Sequence, residues 1–179
     1  VYVSTAVTSG ITTGPSKLNI GQGGSISSSS SNVILTGDVI SSGANGIAIL
    51  STGNVTIQPF GNSFTNAFIF SSPAFSVPST VSGLTIGKVG NTADVALNVV
   101  QNVAGPISIY GGNLDVNQNL SSTLAGATVL LQATSKISLS TTRNIQSNAG
   151  NIILRSNASG VANVDASSII LNSGSSLLS

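Results

Sequence analysis

Residues 105–159 read GPISIYGGNLDVNQNLSSTLAGATVLLQATSKISLSTTRNIQSNAGNIILRSNAS, and this stretch decides the fold. It is a series of apolar-x-apolar pairs: Ile107/Ile109, Leu114/Val116, Val129/Leu131, Ile137/Leu139 and Ile152/Leu154. Residues two apart project to the same face of a strand. The pairs also recur at a longer interval: Ile107 leads to Val129 at i+22, Val129 to Ile152 at i+23, and Leu114 to Ile137 at i+23. Two phases with one period predict a coil stacked on itself.

Working outward, the same beat runs through most of the chain. Val33/Leu35 lead to Val55/Ile57 at i+22, and Leu84/Ile86 to Ile107/Ile109 at i+23. Val95/Leu97 lead to Leu114/Val116 at i+19, and Leu120 and Ile145, at i+25, supply a third phase. Ile26, Ile47 and Ile69 follow one another at i+21 and i+22 and read as one more column. The last interval, from Ile152/Leu154 to Ile169/Leu171, is i+17 and predicts a shortened final coil cut by the NASGVANVD turn. At about 22 residues each, the chain makes about eight coils, a rod about 40 Å long at the spacing of paired strands.

Helix is disfavoured by β-branched residues and frequent Gly. A single coil cannot bury its apolar face alone, whereas stacked coils pair backbones and close a continuous core. Strands so stacked run parallel. Superposing the coils sets Asn98 over Asn117, and Asp94 over Asn113 and Lys136, in outward or corner columns where side-chain amides can form ladders. The fold expected is therefore an all-β parallel β-helix (β-solenoid), one domain over 1–179. A β-sandwich is the alternative, but it needs Asn-Gly or Asp-Gly hairpin turns, and Asn45-Gly46 is the one such pair in the sequence.

The beat breaks once. Residues 59–78 hold all five phenylalanines, Phe60, Phe64, Phe68, Phe70 and Phe75, and three of the five prolines. Leu84 follows Val55 at i+29, so the coil takes in about half a dozen extra residues, which stacked folds extrude as a surface loop. Those phenylalanines are the candidate partner-binding surface. The competing reading is that they fill a wider part of the core.

Composition limits the function classes. Charged residues make up 5% of 179, net charge is +1, and the polar surface falls to Ser, Thr and Asn, with 33, 16 and 18 copies. Such a chain offers no field for nucleic acid or anionic membranes. No apolar run approaches the length of a membrane-spanning helix, so membrane insertion is not expected. Cys, Met, Trp, His and Glu are absent, which leaves no disulfide framework and no nucleophile–base dyad. The opening on Val1 without Met reads as a mature product or a segment of a longer chain, and the Ser/Thr/Asn-rich surface as exported.

Catalysis would have to use Asp38, Asp94, Asp115 and Asp165. In the deduced register Asp94 and Asp115 occupy different columns, no Asp-x-Asp calcium spacing exists, and Lys88, Lys136, Arg143 and Arg155 stand isolated. A non-catalytic protein without cofactor or metal is expected. Asn54, Asn119 and Asn157 head Asn-x-Ser/Thr triplets, fewer than the roughly five that chance gives at this composition.

Residues 83–160 carry phrases of the form GPI-x-I-x-GG, LLxAT-x-x-I-x-L and NAGNIIL. In these the chain resembles the repeats of very large secreted bacterial exoproteins of the filamentous haemagglutinin type. The resemblance covers a little under half the chain. It implies a right-handed parallel β-helix in a secreted or cell-surface adhesin, with host or environmental glycan or matrix as partner. It brings no catalytic motif, and where family members often have an aromatic and acidic turn this chain has Arg155-Ser156-Asn157. A self-assembling extracellular fibre subunit, binding copies of itself, is the second expectation. An ice-binding solenoid comes last, since Thr does not recur in one column.

Overall fold

The computed structural model describes residues 2–4, 15–20, 24–42, 46–157 and 168–179, and all regular structure among them is β. Twenty-one strands fall in rungs of three. The first rung holds β1 (Tyr2–Ser4), β2 (Lys17–Ile20) and β3 (Gly24–Ser27), and the second β4 (Val33–Thr36), β5 (Val39–Ser42) and β6 (Ile47–Leu50). The third holds β7 (Asn54–Gln58), β8 (Phe68–Phe70) and β9 (Phe75–Ser76), and the fourth β10 (Gly83–Ile86), β11 (Val95–Leu97) and β12 (Gln101–Val103). The fifth holds β13 (Ile107–Gly111), β14 (Leu114–Val116) and β15 (Leu120–Ala125). Then come β16 (Val129–Ala133), β17 (Ile137–Leu139) and β18 (Asn144–Asn148), and finally β19 (Ile152–Arg155), β20 (Ile169–Leu171) and β21 (Ser176–Leu178).

Each strand pairs with its counterpart one rung away, and every pairing described is parallel. The molecule is thus a β-solenoid, and the sandwich alternative fails because it requires antiparallel hairpins. The first face runs unbroken as β1-β4-β7-β10-β13-β16-β19. The second face is split into β2-β5 and β8-β11-β14-β17-β20, and the third into β3-β6-β9 and β12-β15-β18-β21.

Inward side chains form columns. On the first face Val33, Val55, Leu84, Ile107 and Val129 align, as do Leu35, Ile57, Ile86, Ile109 and Leu131, all of them buried. On the second, Phe68, Val95, Leu114 and Ile137 make one column and Phe70, Leu97, Val116 and Leu139 the other. The register steps read from the sequence are the observed ones: Val33 pairs with Val55, Leu84 with Ile107, Val95 with Leu114, and Leu120 with Ile145.

Three expectations are corrected. Seven rungs make six turns, not about eight coils, because the end intervals are long: Tyr2 pairs with Ile34 and Ile137 with Ile169, a step of i+32 in each case. Ile169 and Leu171 therefore belong to the second face, stacked on Ile137 and Leu139, and not under Ile152 and Leu154. The final coil is the longer kind. The NASGVANVD turn lies mostly outside the described residues. Third, Ile26, Ile47 and Ile69 share no column: Ile26 pairs with Ile49, Ile47 with Gly24, and Ile69 faces solvent beside Ala96.

Of the Asn45-Gly46 pair, Asn45 lies outside the described residues. Gly46 has φ +73, and a Cβ there would lie 1.5 Å from the Pro73 carbonyl oxygen, so this corner admits no side chain. On the third face three inward positions are polar: Gln101, Ser122 and Ser147. Gln101, in the column of Leu120 and Ile145, is 4% exposed; its amide donates to Val100 O at 2.8 Å while its Oε1 has no partner. A buried polar atom without a partner costs about 1–3 kcal/mol. We predict that Gln101→Leu raises the melting temperature, read by circular dichroism. Solution X-ray scattering is expected to give an axial length of about 30 Å, from six rises of about 4.8 Å.

Candidate functional site

The Phe-rich segment lies between β7 and β10. Phe64, Phe68, Phe70 and Phe75 are buried. Their rings pack in sequence: Phe64 on Phe68 at 5.0 Å, Phe68 on Phe75 at 5.2 Å and Phe75 on Phe70 at 5.6 Å between centroids. These four are core, so they form no partner surface in this fold. Phe60 alone of the five is solvent-facing, at 49% exposure.

Two polar side chains hold the segment down. Asp38, at the corner after β4, accepts from the amides of Ser16 (3.1 Å) and Gly61 (2.6 Å), tying three rungs together. Asn91, 1% exposed, is the second anchor. Its Oδ1 accepts from Ser63 Oγ (2.8 Å) and Phe64 N (3.2 Å), and its Nδ2 donates to Tyr110 O at 2.8 Å. The insertion in the third rung is thereby bolted through the fourth rung to the fifth. Lys88 Nζ adds a bond to Phe60 O at 3.1 Å.

Asn91 belongs to the loop of residues 87–94, eight residues between β10 and β11; the equivalent link between β13 and β14 is Gly112 and Asn113 alone. The longer loop overhangs the next rungs and encloses a cleft of about 190 Å³, lined by Val89, Gly90, Asn91, Thr92, Tyr110, Gln132 and Thr134. Gly90 adopts φ +90 and Val89 is 69% exposed, which places the tip of the loop in solvent. Tyr110 and Gln132 are register partners on β13 and β16. Sequence reading does not single out Tyr110, which sits inside a repeat phrase, because nothing local in the chain announces the overhang.

The outward ladders appear where the superposition sets them. Asn117 donates to Asn98 Oδ1 at 2.8 Å and Ser140 to Asn117 Oδ1 at 2.6 Å. Asn113 gives both its backbone and side-chain N–H to Asp94 Oδ1, at 2.8 and 3.0 Å. Asp115 pairs with Ala96 and so lies in a different column from Asp94. No cluster of three acidic or other metal-ligating side chains occurs among the described residues; Asp165 lies outside them.

The last rung is different in kind. Ile169, Leu171 and Leu177 continue the buried columns of Ile137, Leu139 and Ile145, yet are 39–47% exposed. At the first rung Leu18 and Ile26 are at most 9% exposed.

No family model, curated protein or solved structure matches the chain. What the protein does must therefore be read from these side chains.

Phe70→Ser is expected to unfold the protein or lower its stability by at least about 3 kcal/mol, as for emptying an aromatic core site. Phe60→Ser should change it by less than about 0.5 kcal/mol. Asn91→Ala strands several buried groups, and a loss of at least about 2 kcal/mol is expected. Chemical denaturation of the three variants checks all three.

Proposed function

We propose that this chain is a non-catalytic structural and binding segment of a secreted or cell-surface bacterial adhesin, a stiff stack of coils that carries recognition surfaces to glycan or matrix. The observation that carries this reading is the exterior of the stack: uncharged amide and hydroxyl ladders, Asn98–Asn117–Ser140 and Asn144–Ser176 among them, fixed on a core that leaves them little freedom. Preorganised polar groups bind at a lower entropic cost than mobile ones. The resemblance of residues 83–160 to filamentous haemagglutinin-type repeats points the same way.

A second reading is favoured by a specific feature. Phe60 and Ile69, 49% and 51% exposed on the Phe-rich rung, offer another copy an apolar docking patch, as a self-assembling extracellular fibre subunit requires.

Surfaces coated with neutral glycans, collagen or fibronectin separate the two readings. The adhesin reading expects saturable retention of the monomer that persists in about 0.5 M salt, since few charges take part. Retention on none of these surfaces, with light scattering that grows with concentration and disappears in a Phe60→Ser, Ile69→Ser variant, would favour the fibre. A monomer at high concentration excludes the fibre.

A further inference from the structure

We infer that the cleft beneath the 87–94 loop is a subsite for one uncharged sugar ring, a proposal that rests on the glycan-binding reading above. The cleft's size is the first argument. About 190 Å³ is below the range that holds drug-sized molecules and suits a single ring.

The lining is the second. Tyr110 and Val89 supply apolar surface, and Gln132, Thr134 and Thr92 supply an amide and two hydroxyls. A sugar ring has the matching anatomy, with C–H groups on one face and hydroxyls around the rim that both donate and accept. The side chains of Tyr110, Gln132 and Thr134 make no hydrogen bond to any described residue, so their bonding capacity is available to a ligand. No lining residue is charged. The nearby cations stand aside, Lys88 on Phe60 O and Arg155 one rung beyond Gln132.

Preorganisation is the third. The loop that roofs the cleft is held by Asn91, whose side chain is 1% exposed and bonded both to Ser63 Oγ below and to Tyr110 O on the facing wall. Roof and floor are therefore fixed relative to each other before any ligand arrives, and the ordering cost of binding is small. The polar cleft on the third face, lined by Ser121, Gln146 and Asn148, has no aromatic wall and no such roof.

The composition provides the probe. The chain has no Trp and two Tyr, so a Tyr2→Phe variant leaves Tyr110 as the only tyrosine fluorophore. That variant is titrated with galactose, glucose, mannose and N-acetylglucosamine, their β-linked disaccharides, and sialyllactose as the acidic control. A saturable change in Tyr110 emission with at least one neutral sugar is expected. Gln132→Ala in the same background, with its melting temperature unchanged, should weaken the affinity about tenfold. Absence of a saturable change with every neutral sugar, a response to sialyllactose alone, or an unaltered affinity in Gln132→Ala overturns the assignment. If the intact protein is still retained on glycan-coated surfaces, the cleft assignment alone has failed; if retention is absent too, the adhesin reading fails with it.

Discussion

Parallel backbone pairing at a fixed rise of about 4.8 Å is the constraint on which everything else in this molecule depends. Each strand finds its hydrogen-bonding partner one rung away, so a residue in a paired strand has a definite neighbour along the stack. A column must then be made of residues that tolerate their own kind at that distance. Branched aliphatics do so inside the coil, as Ile57, Ile86, Ile109 and Leu131 show. Asn and Ser do so outside, because each can give and receive a hydrogen bond along the stack. The near absence of charge follows from the same rule, since like charges repeated at one position would repel along the column.

The Phe-rich rung shows how such a stack takes an irregularity without losing order. The coil with the extra residues buries Phe64, Phe68, Phe70 and Phe75 packed ring on ring. Polar anchors then fix the displaced backbone: Asp38 from the rung before and Asn91 from the rung after. The second of these anchors belongs to the long 87–94 loop. An interruption of the repeat is thus tied directly to the cleft beneath that loop, although four of its aromatic residues are themselves out of reach.

Much of the architecture is legible in the sequence because strand period and coil period are both written in apolar spacing. The pairs at Val33, Val55, Leu84, Ile107, Val129 and Ile152 give the first face directly, and the Asn98–Asn117 ladder follows from the same superposition. Ile169 and Leu171 are misplaced by spacing alone because an apolar pair carries no mark of which face it belongs to; only its neighbours in the stack decide that. The site is less legible still. Five phenylalanines in a loop-like segment read either as a surface or as core filling, and burial, a tertiary property, places four of them inside. Tyr110, whose setting depends on the 87–94 loop folding back over it through Asn91, has no local signature.

The breaks in the second and third faces fall at different levels. Between the second and third rungs the second face is cut while β4–β7 and β6–β9 remain bonded. Between the third and fourth rungs it is the third face that is cut, while β7–β10 and β8–β11 hold. The rung carrying the insertion is joined like a scarf in timber, lapped to one neighbour on one side and to the other on the next. At neither level are two sheets interrupted at once, so a pull along the axis meets two ladders of hydrogen bonds at either of these joints.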